Sequence, residues 1–223
     1  IDPFEWPLFK VHATHIPAEG RSRIHFSVSL FLMDAMSDLV LRHELSVLYR
    51  NAIAPSPVAL PLSPPPNLLF RDYVNSMARD LPSSAEYKAA QAFWHARLED
   101  LPGGPMLPTL PSGGGGKEGQ FRNYHTWLDS EQWARARINC ARAGVTVPAM
   151  LIACYSVALG VWSGSDRFLL NLLLCLRHQV HPEVNKVVGN CSSTMLCVVD
   201  LRQDANGAPC SFKTLVLRVA AEV

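Results

Sequence analysis

Apolar and polar positions alternate loosely over Leu8–His15 and again over Arg23–Met33, which predicts two strands joined at a Gly20 turn as a hairpin. The pattern then lengthens to a helical one. Leu39, Leu41, Leu45 and Leu48 supply an apolar face for a helix running to about Tyr49, with Asp34 or Ser37 as its N-cap. A short helix is predicted over Asn67–Ala78. Ser83 caps a clearer one, Ala85–Leu98, which carries Tyr87, Ala90, Phe93, Trp94 and Leu98 on one side. Further on, Phe121–Leu128 predicts a strand and Ser130–Ala143 an amphipathic helix stopped by Gly144. Pro148–Trp162 is a largely buried helix capped by Thr146. Phe168–Leu176 and Thr194–Leu201 are apolar enough to be central strands, and a last helix begins near Ser211.

Strands interleaved with helices place the chain in the α/β class. The connectors divide it. Six prolines fall within residues 54–66, which reads as an extended linker, and Leu101–Pro111 is proline-rich again. Gly113–Gly116 is a flexible tether and the best lobe boundary. Two lobes are therefore expected: residues 1–118 with the strand–helix segment and the Pro-rich linker helices, and residues 119–223 as the first part of a second lobe.

The 223 residues are 48% apolar and 17% charged, a globular composition. Twenty basic residues against 19 acidic ones, a net charge of +1, give no electrostatic case for nucleic acid or an anionic membrane surface. The apolar run Ala149–Trp162 is shorter than the roughly 20 residues of a spanning helix. No signal peptide is visible, and the chain starts at Ile1 and ends within a helical pattern, so it reads as a piece of a longer polypeptide. Six cysteines occur with no CxxC pair, most of them inside apolar runs. They read as small buried hydrophobes in a reducing, cytoplasmic compartment.

Asp34 is the most informative candidate. It follows ten residues read as apolar strand, and no lysine or arginine lies near it before Arg42. It is either a helix cap or the partner of a distant cation. Arg177, at the end of the later apolar run, is the cation in a matching position, and two such charges in one domain have reason to meet, because burying either alone costs several kcal/mol. His178 and His181 lie in a loop without further ligands, so no metal site is expected. Gly113–Lys117 lacks the glycine spacing and the Ser/Thr of a phosphate loop. Asn190-Cys-Ser192 is formally a glycosylation sequon, without meaning in the absence of a secretory signal. His25 and His43 are expected to be satisfied structural histidines, and no Ser-His-Asp order can be defended.

Taken together, these segments resemble the heterocyclization domains of nonribosomal peptide synthetases, relatives of condensation domains in the chloramphenicol-acetyltransferase-like superfamily. Ile24–Leu45 resembles the family segment D-x-x-x-x-D with A-x-S…E-L after it: Asp34 matches the second aspartate, and Ala35, Ser37, Glu44 and Leu45 match the A, S, E and L. Phe70-Arg-Asp-Tyr73 and Phe93-Trp94 match its linking helices, and Leu101-Pro-Gly-Gly-Pro-Met-Leu-Pro108 its L-P-x-x-P-x-L-P motif. Thr146–Tyr155 with Trp162-Ser163, and Arg177 with His181–Asn185 and Val188-Gly189, complete the series in the family's order. Two positions depart. Ser29 stands where the first aspartate belongs, and Gly189-Asn190-Cys191-Ser192 replaces G-D-F-T. Aligned on Asp34, the two histidines of ordinary condensation domains fall on Ser29 and Leu30, and leucine cannot act as a general base.

The resemblance implies an α/β, two-layer sandwich with two lobes and mixed sheets with helices packed on them. It implies a parent enzyme that joins a carrier-bound acyl thioester to a carrier-bound cysteine, serine or threonine and closes a thiazoline or oxazoline ring. No cofactor would bind the domain directly; both substrates would ride on 4′-phosphopantetheine arms of peptidyl or aryl carrier domains, with an adenylation domain as a further partner. Asp34 and Ser29 are the candidate catalytic residues, Asp34 with Arg177 a structural ion pair at the lobe junction, and Ser27, Ser37, Asn190 and Ser192 the candidate tunnel lining. The alternative is a degenerate domain kept for carrier docking, or one that condenses without cyclizing.

Overall fold

A computed structural model describes residues 1–54, 61–109, 123–203 and 207–223. Two units divide the chain, and neither is continuous in sequence: unit 1 is Ile1–Ala96 with Leu173–Thr194, and unit 2 is Arg97–Leu172 with Met195–Val223. The Gly113–Gly116 tether and the 118/119 boundary lie outside the described residues.

In unit 1, strands β1 (Phe9–Ile16) and β2 (Arg21–Val28) form an antiparallel hairpin in register from Phe9 opposite Val28 to Ile16 opposite Arg21. The period-2 alternation puts Val11, Ala13, Ile24 and Phe26 on one face and Lys10, His12, His25 and Ser27 on the other. The second strand stops at Val28, short of the expected Met33. Ser29 opens a turn instead, its carbonyl accepting from Leu32 N–H at 3.0 Å and its hydroxyl from Phe31 N–H at 3.3 Å, the local hydrogen bonding for which serine favours turns. Asp34 therefore follows a turn, not a strand end.

Helix α1 (Ala35–Ile53) begins there, longer at its C-terminus than the periodicity indicates. Its expected apolar face is not covered: Leu39, Leu45 and Leu48 are all at least half exposed. Helices α2 (Phe70–Asp80) and α3 (Ala85–Arg97) come next in the chain. The cap of α3 is Ser84, whose hydroxyl accepts from Tyr87 N–H at 3.0 Å, rather than Ser83, which ends a 3-10 turn. The small core of this unit is Tyr73, Val184 and Cys191, with Leu68, Phe70 and Met77 packed on it.

Unit 2 holds helices α4 (Ser130–Arg142), α5 (Val147–Ser163) and α6 (Phe212–Glu222) and most of strands β3 (Arg167–Leu174) and β4 (Ser193–Asp200). Capping explains the helix starts: Asp129, Thr146 and Ser211 each accept an N–H three residues on, and Gly144 takes the left-handed conformation after α4. The layers meet in one core, with Ala149, Ala153 and Leu159 of α5, Phe168 and Leu170 of β3, Cys197 and Val199 of β4, and Leu215, Val216 and Val219 of α6.

Expected as central strands, β3 and β4 form a two-stranded sheet among the described residues. Two of their N–H groups are met from elsewhere in the unit. The Gly103 carbonyl, in the Pro-rich segment, accepts from Leu169 N–H at 2.9 Å, and the Glu222 carboxylate accepts from Val198 N–H at 3.3 Å while bound to Arg97 at 2.8 Å. Of the expected strand Phe121–Leu128, the first two residues lie outside the described ones and 123–128 form no strand. Three of the six cysteines, Cys140, Cys191 and Cys197, are buried, and Cys154 is exposed. Burial, with Glu222 nearby, pushes the Cys197 thiol up to about 11, so it is a neutral packing group. No single helix among the described residues is long and apolar enough to cross a membrane.

Candidate functional site

Asp34 sits between the Ser29–Leu32 turn and the first turn of α1, and as N-cap it accepts from Ser37 N–H at 2.8 Å. Residues 177–191 curl over it. Arg177 reaches Asp34 Oδ1 with Nη2 at 3.0 Å, and Cys191 N–H donates to Oδ2 at 3.1 Å. The guanidinium is held from its other side by the carbonyls of Val184 and Val187, at 2.9 and 2.5 Å from Nη1. The ion pair is sealed: the Arg177 side chain is 2% exposed and that of Asp34 0%. Only Arg177 Nε is buried without a partner among the described residues. Both partners belong to unit 1, because residues 173–194 fold back onto the first 96.

Ser37 is the centre of this arrangement. Its hydroxyl accepts from Gly189 N–H and from Arg177 Nη2, each at 3.0 Å. It donates to either Asp34 Oδ1 at 2.8 Å or the Gly189 carbonyl at 2.9 Å. One donor and two acceptors are all a hydroxyl has, so the group is fully used. Gly189 is hemmed in from the opposite side, where a Cβ would collide with the ring of Phe70, the first residue of α2. A second set of contacts ties the same loop to the segment before and within α2. Tyr73 Oη accepts from His178 N–H at 3.4 Å, and the Glu183 carboxylate accepts from Asn67 N–H at 3.0 Å and pairs with Lys186.

Burial alone raises the pKa of the Asp34 carboxyl. The Ser37 N–H and hydroxyl, the Cys191 N–H and the Arg177 charge outweigh it and hold the group below the ordinary aspartate value. A carboxyl depressed in the folded state stabilises it above the unfolded pKa and loses that contribution as protons bind on acidification. Glu183, lowered by Asn67 and Lys186, acts in the same direction. Stability therefore falls as the pH drops below about 4. Urea unfolding between about pH 6 and pH 3 checks this, and Asp34→Asn flattens the dependence if Asp34 is its source; an unchanged slope refutes it.

The structure thus brings Asp34, Ser37 and Arg177 together. Ser37, expected on a tunnel wall, is wholly buried and faces no open space. Asp34 is enclosed, its side chain 0% exposed and its carboxylate engaged by Ser37, Cys191 and Arg177. Ser29 is partly buried, its hydroxyl engaged with Phe31 N–H. Asn190 and Ser192 are partly buried, and Asn190 binds the Leu30 carbonyl of the same turn at 2.8 Å. Ser27 is exposed on the polar face of the hairpin, opposite Lys10. His25 and His43, expected to be satisfied within the structure, are exposed instead. His181 Nδ1 accepts from Glu183 N–H at 3.1 Å, and no group of three or more metal-ligating side chains exists among the described residues.

Comparison with known proteins adds four findings. A family model described as Condensation domain matches residues 5–223. Phenyloxazoline synthase MbtB of Mycobacterium tuberculosis (strain ATCC 25618 / H37Rv) is 34% identical over 200 residues, 87% of this chain and 13% of that protein. Pyochelin synthetase PchF of Pseudomonas aeruginosa (strain UCBPP-PA14) is 31% identical over 179 residues, 80% of this chain and 9% of that protein. The solved EpoB NRPS cyclization-docking bidomain from Sorangium cellulosum matches all of this chain and 42% of its own, at 29% identity and a TM-score of 0.78. The chain spans only a small part of the curated relatives it matches.

Proposed function

This chain belongs to the condensation-domain family, and on that premise we propose that it forms part of a heterocyclization domain of a nonribosomal peptide synthetase. Its fold is α/β and like that of solved condensation domains, the chloramphenicol-acetyltransferase-like fold. The observation that carries the proposal is likeness to proteins whose names specify the ring-forming step: a phenyloxazoline synthase at 34% identity over 87% of the chain, and a cyclization-docking bidomain over all of it.

The reaction has two stages. The amine of a carrier-bound cysteine, serine or threonine attacks the carrier-bound acyl thioester; the C–N bond forms, the C–S bond breaks, and the donor arm leaves as its thiol. The side-chain thiol or hydroxyl then attacks the new amide carbon, and its oxygen departs as water, leaving a thiazoline or oxazoline. Orientation of amine against thioester supplies much of the rate, an effect worth up to about 7–11 kcal/mol. The role of Asp34 and Arg177 is to fix the turn and the 189–192 segment beside it. Ser27, Ser29, Asn190 and Ser192 offer hydroxyl and amide hydrogen bonds to the reactants. The partners are carrier domains bearing 4′-phosphopantetheine and an adenylation domain, in a cytoplasmic synthetase.

A second reading, a non-catalytic carrier-docking domain, is favoured by the turn itself: none of residues 27–32 is titratable, so no acid or base stands there. Mass spectrometry of the synthetase with loaded carriers separates the two. We expect a product lighter by one water than the open amide. The open amide alone means condensation without ring closure, and carrier binding without product means docking. Ser29→Asp is expected to leave amide formation intact and raise ring closure severalfold.

A further inference from the structure

One face of the β1–β2 hairpin carries only basic and neutral residues. Its rows, taken from the Ser29 turn toward Gly20, are Lys10 opposite Ser27, His12 opposite His25, Thr14 opposite Arg23 and Ile16 opposite Arg21. Arg21 is paired with Glu19, whereas Lys10, His12, Arg23 and His25 have no side-chain hydrogen bond or ion pair among the described residues. All four are exposed. Ser29 continues the register by one row, because its N–H donates to the Leu8 carbonyl at 2.9 Å.

Such a face suits an anion. Two facing imidazoles alone would suit a divalent cation, but here Lys10 and Arg23 flank them with positive charge and repel one. Toward a phosphate the same four groups are all donors: an ammonium, a planar guanidinium, and the ring N–H that each histidine offers in either charge state. Distance then selects the phosphate. Rows on one strand face recur every ~6.7 Å, so the His12–His25 row stands about 13 Å from Ser29 and the Arg23 row about 20 Å. An extended 4′-phosphopantetheine arm, about 13 bonds from phosphorus to sulfur, spans about 15 Å at the bond projection of an extended backbone. With its sulfur at Ser29, its phosphate falls between those two rows. We propose that His12, His25 and Arg23, flanked by Lys10, seat the phosphodiester of a carrier-borne arm, and that the hairpin thereby sets how far the thioester reaches. The identity of the anion rests on the functional reading above; the basic face rests on the geometry alone.

Soluble thioesters of 4′-phosphopantetheine and of pantetheine differ only in that phosphate. In the synthetase they replace each loaded carrier in turn, the other carrier staying in place. We expect the parent to use the phosphorylated thioester about tenfold better in kcat/KM at one of the two carrier positions, mostly through KM. Arg23→Ala, and His12→Ala with His25→Ala, abolish that preference. A change that only disturbs the fold slows both thioesters together and leaves their ratio as it was. Equal use of the two thioesters by the parent at both positions overturns the proposal, and so does a preference that survives in both variants. A parent that forms no product from loaded carriers defeats the functional reading instead. The face is then decided by equilibrium binding of 4′-phosphopantetheine against pantetheine: tighter binding of the former, lost in both variants, upholds the seat, and equal binding refutes it.

Discussion

Asp34→Ala destabilises the protein by about 3–5 kcal/mol, the usual consequence of removing one member of a buried pair. Several losses coincide at this carboxylate. Arg177 keeps its charge at 2% side-chain exposure with no counter-ion. The Ser37 and Cys191 N–H groups lose their acceptor, and α1 loses its N-cap, a change costing about 0.5–2 kcal/mol by itself. These losses overlap and do not add. Urea denaturation measures the total, and a midpoint equal to the parent's means the pair contributes nothing. A double-mutant cycle with Asp34→Asn and Arg177→Met isolates the coupling: the two charges removed together should cost less than the sum of the separate changes, because neither is left alone in the interior.

Gly189→Ala destabilises by about 1–3 kcal/mol, the cost of forcing an extra methyl into a packed site. The new Cβ meets the Phe70 ring, and the backbone cannot retreat, since both its N–H and its carbonyl lie within hydrogen-bonding distance of the Ser37 hydroxyl. The ring in turn is packed against the core of Tyr73, Val184 and Cys191. Placing Gly189→Ala in a Phe70→Leu background should recover part of the loss. A parental urea midpoint for the single variant means that the ring moves aside freely.

Local chemistry was the legible part of this chain. Asp34, Thr146 and Ser211 stand at helix starts because a short polar side chain there can take an orphan N–H, and that shows in the order of residues. Gly144 marks a helix end for an equally local reason. Alternation misled where polar and apolar residues continued past the pairing: Ser29 extends the strand pattern, yet its hydrogen bonds turn the chain. The meeting of Asp34 with Arg177 was legible because each charge borders an apolar run. Ser37 as their shared partner, and Gly189 pressed on the Phe70 ring, had no such signal, since both are contacts between residues more than a hundred positions apart. The three-residue spacing from Asp34 to Ser37 was the one available hint.

The discontinuity of unit 1 has a practical consequence for dissecting the protein. Its closing segment, Leu173–Thr194, is encoded after most of unit 2. No single scission or stop codon can release either unit intact: a truncation anywhere between Ala96 and Leu173 yields a polypeptide whose Asp34 has lost its guanidinium. Isolated N-terminal fragments are therefore poor reagents, and any separately expressed unit 1 must carry residues 173–194 along with residues 1–96.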